Sequence, residues 1–126
     1  MQLLSIEKVS KDFGGIQALK DVSISVSENS IVGLIGPNGA GKTTLFNAIS
    51  GFLRLPSGSV YFGDKEITNL PSFKIARMGI ARTFQVIRLF PYMTVLENTL
   101  VGQNGKVPSG FLSFFRRSKS NRERIL

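Results

Sequence analysis

An apolar run, Ile31-Val32-Gly33-Leu34-Ile35, leads without a polar break into Gly36-Pro37-Asn38-Gly39-Ala40-Gly41-Lys42-Thr43. Apolar residues without alternation fit a strand covered on both faces, as in a parallel sheet. The glycine-rich turn follows at once, and after it Leu45, Phe46, Ile49 and Phe52 fall near one helical face. Strand, glycine turn and amphipathic helix in that order predict an α/β fold.

The turn fits G-x-x-x-x-G-K-[ST] at every fixed position. Each part has a physical role. Gly36, Gly39 and Gly41 let the backbone adopt conformations closed to other residues. The N–H groups of the loop Gly36-Pro37-Asn38-Gly39-Ala40-Gly41 then point inward and form a concave anion site. A helix from about Lys42 adds its positive end. Lys42 brings a full charge to β- and γ-phosphate oxygens, and the Thr43 hydroxyl is a hard oxygen ligand suited to Mg²⁺. This is a Walker A loop for ATP, and Thr44, next along the chain, is expected among the residues that bind the nucleotide.

Around this centre the pattern is mixed. Ser23, Ser25 and Ser27 alternate with Val22, Ile24 and Val26, the mark of a strand with one buried face at an antiparallel edge. Val60-Tyr61-Phe62 and Lys65-Glu66-Ile67 read as a hairpin turned at Gly63-Asp64. Pro71 opens a helix to about Met78, stopped by Gly79. Ile80 to Gln85 reads as a short strand or extended loop. Thr94 and Glu97 form a capping box that opens a helix through about Val101. The expected antiparallel β-subdomain spans residues 2–35 and 59–67.

Composition narrows the function. The 126 residues contain no cysteine and no histidine. Disulfides, cysteine zinc sites and a histidine base are thereby excluded. No segment reaches the roughly 18–20 apolar residues of a membrane span. Residues 1–11 do not read as a signal peptide, because Glu7, Lys8 and Lys11 interrupt their short apolar run. A cytoplasmic location is expected. The net charge is +8, and residues 106–126 hold six basic residues, including Arg116 and Arg117, against Glu123. That segment reads as a solvated helix start or linker, with an anionic surface as the alternative. Aromatic and basic residues do not interleave at regular spacing there, so no specific nucleic-acid partner is expected. The chain also lacks the N-K-x-D motif by which GTPases read guanine.

The filled motif GPNGAGKTT, with the LFNAISG that follows, resembles the ATP-binding subunit of ABC transporters. The finer resemblance is to the branched-chain amino acid importer group. It rests on Phe13-Gly14-Gly15-Ile16-Gln17-Ala18-Leu19, on Phe46-Asn47-Ala48-Ile49-Ser50-Gly51-Phe52, and on Ala76 through Asn98. The resemblance covers essentially the whole chain. It implies an ABC-type P-loop NTPase fold. Phe13, 23 residues before Gly36, would stack on adenine, where the residue alone reads as core. Gln85 in Ala81-Arg82-Thr83-Phe84-Gln85 would be the Q-loop glutamine, positioning Mg²⁺ or the attacking water. Alone, it reads as an ordinary surface residue. Region 85–103 would contact transmembrane permease subunits, residues 104–124 would be a basic insertion, and a second ATP-binding subunit would complete the site. The location implied is the inner face of the plasma membrane.

The family also carries an LSGGQ-type signature, a Walker B strand ending in Asp-Glu, and a switch histidine. These 126 residues hold none of them. Asp12, Asp21 and Asp64 are the only aspartates, and none ends an apolar strand followed by Glu. Residues 1–126 therefore read as the N-terminal part of an ABC ATP-binding domain, truncated before signature and Walker B. The expected function is ATP-driven uptake of branched-chain amino acids. The alternative is a nucleotide-binding remnant without turnover.

Overall fold

The computed structural model describes residues 1–86 and 89–102. The basic insertion and the end of the expected permease-contact region lie outside the described residues. The chain divides at Arg82 into two units.

In the first unit, β1 (Gln2–Phe13) and β2 (Ile16–Ser27) form an antiparallel hairpin. Its two-residue turn is Gly14-Gly15, with φ of 51° and 94°. Positive φ at both positions gives the turn a twist that matches the strands. β3 (Ser57–Phe62) pairs antiparallel with β1, and β4 (Lys65–Glu66) pairs with β3. The sheet order is β2-β1-β3-β4. The serine alternation therefore marks an edge strand, as expected. In β2, Val22, Ile24 and Val26 are half-buried, and Ser23, Ser25 and Ser27 are exposed.

The register of β1 and β2 breaks near Lys8 and Asp21, both at positive φ. Serines tie the two breaks across the strands. The Lys8 amide donates to Ser23 Oγ at 2.9 Å, and the Asp21 amide donates to Ser10 Oγ at 3.0 Å.

One face of this sheet supplies Ile6, Val9, Leu19 and Val60 to the core. Against it lie Leu45 and Ala48 of α1 (Lys42–Ile49), Ile75 of α2 (Ser72–Arg77), and Leu55 and Ile67 from the connections. Burying each large aliphatic side chain contributes about 1.5–3 kcal/mol. Gly51 lets the turn after α1 approach α2 closely. It sits at φ 74°, and a Cβ there would lie 2.5 Å from the Leu70 carbonyl oxygen.

Two expectations change. Ile31–Ile35 form no strand, and Ile31 and Ile35 are 102% and 95% exposed. The β-subdomain accordingly ends at Ser27 rather than residue 35. Among the described residues no strand pairs with this run, and only Val32 and Leu34 are partly covered, at 52% and 37% exposure. The inward face of α1 is Leu45, Ala48 and half-buried Ile49, while Phe46 and Phe52 are more than half exposed. Residues 80–85 form no strand, which leaves the loop of the two forms expected.

The second unit contributes α3 (Val95–Gly102). Its capping box is formed: the Thr94 amide donates to Glu97 Oε2 at 2.8 Å, and the Glu97 amide donates to Thr94 Oγ1 at 3.2 Å. Asn98 knits the preceding turn. Its Oδ1 accepts from the Phe90 amide, and its Nδ2 donates to the carbonyls of Phe90, Met93 and Thr94.

Candidate phosphate-binding site

The loop from Gly36 to Gly41 reaches α1 through two left-handed residues, Gly39 at φ 86° and Gly41 at φ 82°. A side chain at Gly41 would also strike the Ala18 carbonyl oxygen and Leu19 of β2. The start of α1 is therefore seated on β2 by the absence of a Cβ. A turn closes where the Ala40 amide donates to the Pro37 carbonyl at 3.2 Å. The first helical bond, from the Leu45 amide to the Gly41 carbonyl, is 2.9 Å.

The N-terminus of α1 has no side-chain cap and no acidic residue in its first turn. The first amides of a helix have no intrahelical acceptor. Uncapped, they present a positive end on which an anion is stabilised by dipole and hydrogen bonds together.

Lys42 reaches back over the loop. Its Nζ donates to the Gly36 and Pro37 carbonyls, each at 2.6 Å. An ammonium has three donors, so this geometry leaves one beyond the two loop carbonyls. Thr43, the next residue of α1, is exposed. The helix thus brings a hydroxyl, an ammonium and uncapped amides to one end. That donor set fits a phosphate chain with an oxygen-liganded divalent cation. Among the described residues no cluster of three or more His, Cys, Asp or Glu could hold a metal by itself. A cation here would rely on Thr43 and on the phosphates it neutralises.

The remaining expected residues are placed as follows. Gly36 through Thr44 form one loop and helix start. Phe13 belongs to the same unit, at the end of β1 beside the hairpin turn. It is 46% exposed, with Lys11 Nζ 5.2 Å from its ring centroid. An exposed aromatic departs from the core reading of an isolated Phe. Gln85 is exposed and lies in the second unit.

The sequence reading missed two partners. One is Lys11, two residues before Phe13 and on the same side of β1, a spacing visible in the alternation of any strand. The other is Arg82, which bonds Asn47 and Ser50 at the end of α1. The i, i+3 spacing of Asn47 and Ser50 marks a polar helical face, but nothing in the sequence names its partner.

A helix N-terminus joined to a left-handed glycine loop and closed by a lysine places the chain in the P-loop NTPase fold class. The model of the family described as "ABC transporter" matches residues 19–126, and the chain belongs to that family. It is 44% identical over 124 residues to the high-affinity branched-chain amino acid transport ATP-binding protein LivG of Salmonella typhimurium, covering 94% of this chain and 49% of LivG. Among solved structures, it is similar to the ADP conformation of an ATP-binding cassette of an ABC transporter. That likeness has a TM-score of 0.75 and 45% identity, over 92% of this chain and 46% of the other. A dimeric bacterial ABC transporter cassette matches with a TM-score of 0.72 and 28% identity, over 85% of this chain and 49% of the other. The chain spans about half the length of the curated relatives it matches.

Proposed function

We propose that this chain binds ATP with Mg²⁺ as the phosphate-gripping part of an energy-coupling subunit. The transporter it serves would be an importer of branched-chain or other hydrophobic amino acids. The observation that carries the reading is the loop itself. Lys42 folds onto the Gly36 and Pro37 carbonyls beside an uncapped helix end. The loop from Gly36 through Gly41, with Lys42 and Thr44, would enclose the phosphates. Thr43 would ligate the cation, with Gln85 as its second protein oxygen, and Phe13 would stack on adenine with its exposed ring. Bound Mg²⁺ supplies charge neutralisation at the β- and γ-phosphates.

Two features support the transport role. The first is the likeness to relatives named for branched-chain amino acid transport. The second is the apolar exposure of Leu89, Phe90, Met93 and Leu96 within region 85–103, where permease subunits would bear. A second ATP-binding subunit would face the loop, as the dimeric relative suggests. The working location would be the cytoplasmic face of the membrane. Among the described residues no helix is long and apolar enough to cross it.

The alternative reading is nucleotide binding without turnover. A titration with Mg·ATP beside a phosphate-release assay separates the two. Binding with release supports a working ATPase, and binding alone supports the second reading. No magnesium-dependent binding of adenine nucleotide would overturn both.

A further inference from the structure

Arg82 is the last residue of the first unit, and its half-buried side chain is fixed on α1. Nη1 donates to Asn47 Oδ1 at 2.7 Å and to Ser50 Oγ at 3.0 Å. Its guanidinium carbon lies 5.6 Å from the centroid of the Phe52 ring. The receiving groups are themselves held. Ser50 is 8% exposed, and its hydroxyl donates to the Phe46 carbonyl. The Asn47 carbonyl accepts from the amides of Phe52 and Leu53, which fixes the turn carrying the ring.

Electrostatics favour a cation at this place. The last turn of α1 contains no basic residue. The carbonyl end of a helix attracts positive charge, and Arg82 supplies it from far along the chain. A planar guanidinium also meets two oxygens and an aromatic face in one fixed orientation, which a flexible ammonium does not.

α1 carries Lys42 and Thr43 at its other end. With eight residues it is about 12 Å long, so its two ends are little more than two turns apart. Gln85 follows Arg82 by three residues.

We infer that Arg82 is a positioning residue that ties the chain leading to Gln85 to the carbonyl end of the phosphate-loop helix. Anion binding at the amide end of α1 is thereby passed to the Gln85 segment. This rests on the nucleotide-binding reading above.

The test uses the full 126-residue chain, with hydrogen exchange of amides 83–86 measured with and without Mg·ATP. In the unsubstituted chain nucleotide should slow exchange there about tenfold, as ordering of a local opening unit does. Arg82→Met should abolish that response while changing ATP affinity less than about threefold, roughly 0.7 kcal/mol. Asn47→Ala keeps Arg82 and the backbone carbonyl at 47, and should also reduce the response. It decides the matter if Arg82→Met does not fold. Arg82→Lys should restore only part of the response. A merely structural role would lower thermal stability and leave the nucleotide response intact. That result, or a folded unsubstituted chain that binds ATP without change at 83–86, overturns the inference alone. Failure of the unsubstituted chain to bind ATP overturns the nucleotide reading as well.

Discussion

The Lys42 ammonium lies 2.6 Å from the Gly36 carbonyl oxygen, six residues before it, and so bridges the two ends of the glycine loop. The contact holds the side chain over the concave face before any anion arrives. Replacement by methionine removes the charge and keeps most of the length. Lys42→Met should weaken Mg·ATP binding at least about a hundredfold, near 2.7 kcal/mol, as read by calorimetric titration. Thermal stability should change by less than about 0.5 kcal/mol, because the bonds lost are exposed ones.

Gly51 and Gly33 differ in what a side chain would meet. At Gly51 a Cβ would press on the Leu70 carbonyl, the Ser72 amide and Ile75, at a positive φ. At Gly33 it would meet nothing within 4 Å. Gly51→Ala should cost about 1–3 kcal/mol in denaturant unfolding. Gly33→Ala should be neutral within about 0.5 kcal/mol.

Ile75 is 1% exposed and Phe73, two residues earlier on the same short helix, is 57% exposed. Ile75→Ala should destabilise the first unit by about 2–5 kcal/mol through lost burial and a residual cavity. Phe73→Ala should cost under about 1 kcal/mol despite removing a larger side chain. Parallel thermal melts decide it.

The capping box at α3 predicts a local effect. Thr94→Ala removes the hydroxyl that accepts from the Glu97 amide. Helix α3 should lose about 1 kcal/mol, seen as faster exchange of its first-turn amides, with melting of the first unit unchanged.

Ile31 and Ile35 stand in water. Replacing both with lysine should lower the binding of an environment-sensitive hydrophobic dye and slow aggregation, without shifting the melting temperature. A marked loss of stability would show that these side chains are covered in solution.

Local chemistry was legible where one element decides its own form. The Gly36–Thr43 pattern, the Thr94–Glu97 box, the Gly63-Asp64 turn, Pro71 and Gly79, and the serine alternation of β2 all follow from neighbours within a few residues. The failures share a physical cause. Ile31–Ile35 reads as a buried strand because burial of such a run needs partners, and among the described residues none pairs with it. Phe46 and Phe52 read as core by periodicity, yet the narrow contact between α1 and the sheet is filled by Leu45 and Ala48. Arg82 was invisible because its partners lie 32 and 35 residues away and carry no sequence mark of the pairing. Lys11 beside Phe13, by contrast, does carry a sequence mark, since residues two apart on a strand share a face.

Among the described residues no strand pairs with the run before Gly36, while on the other flank of the glycine loop Gly41 rests against Ala18 and Leu19. Any ordering of that arm on ligand capture costs backbone entropy, about 1–2 kcal/mol per residue fixed. An entropic toll of that kind lowers affinity without altering a single contact. Bracing the arm would therefore tighten the grip on a triphosphate even with Lys42, Thr43 and every loop amide left untouched.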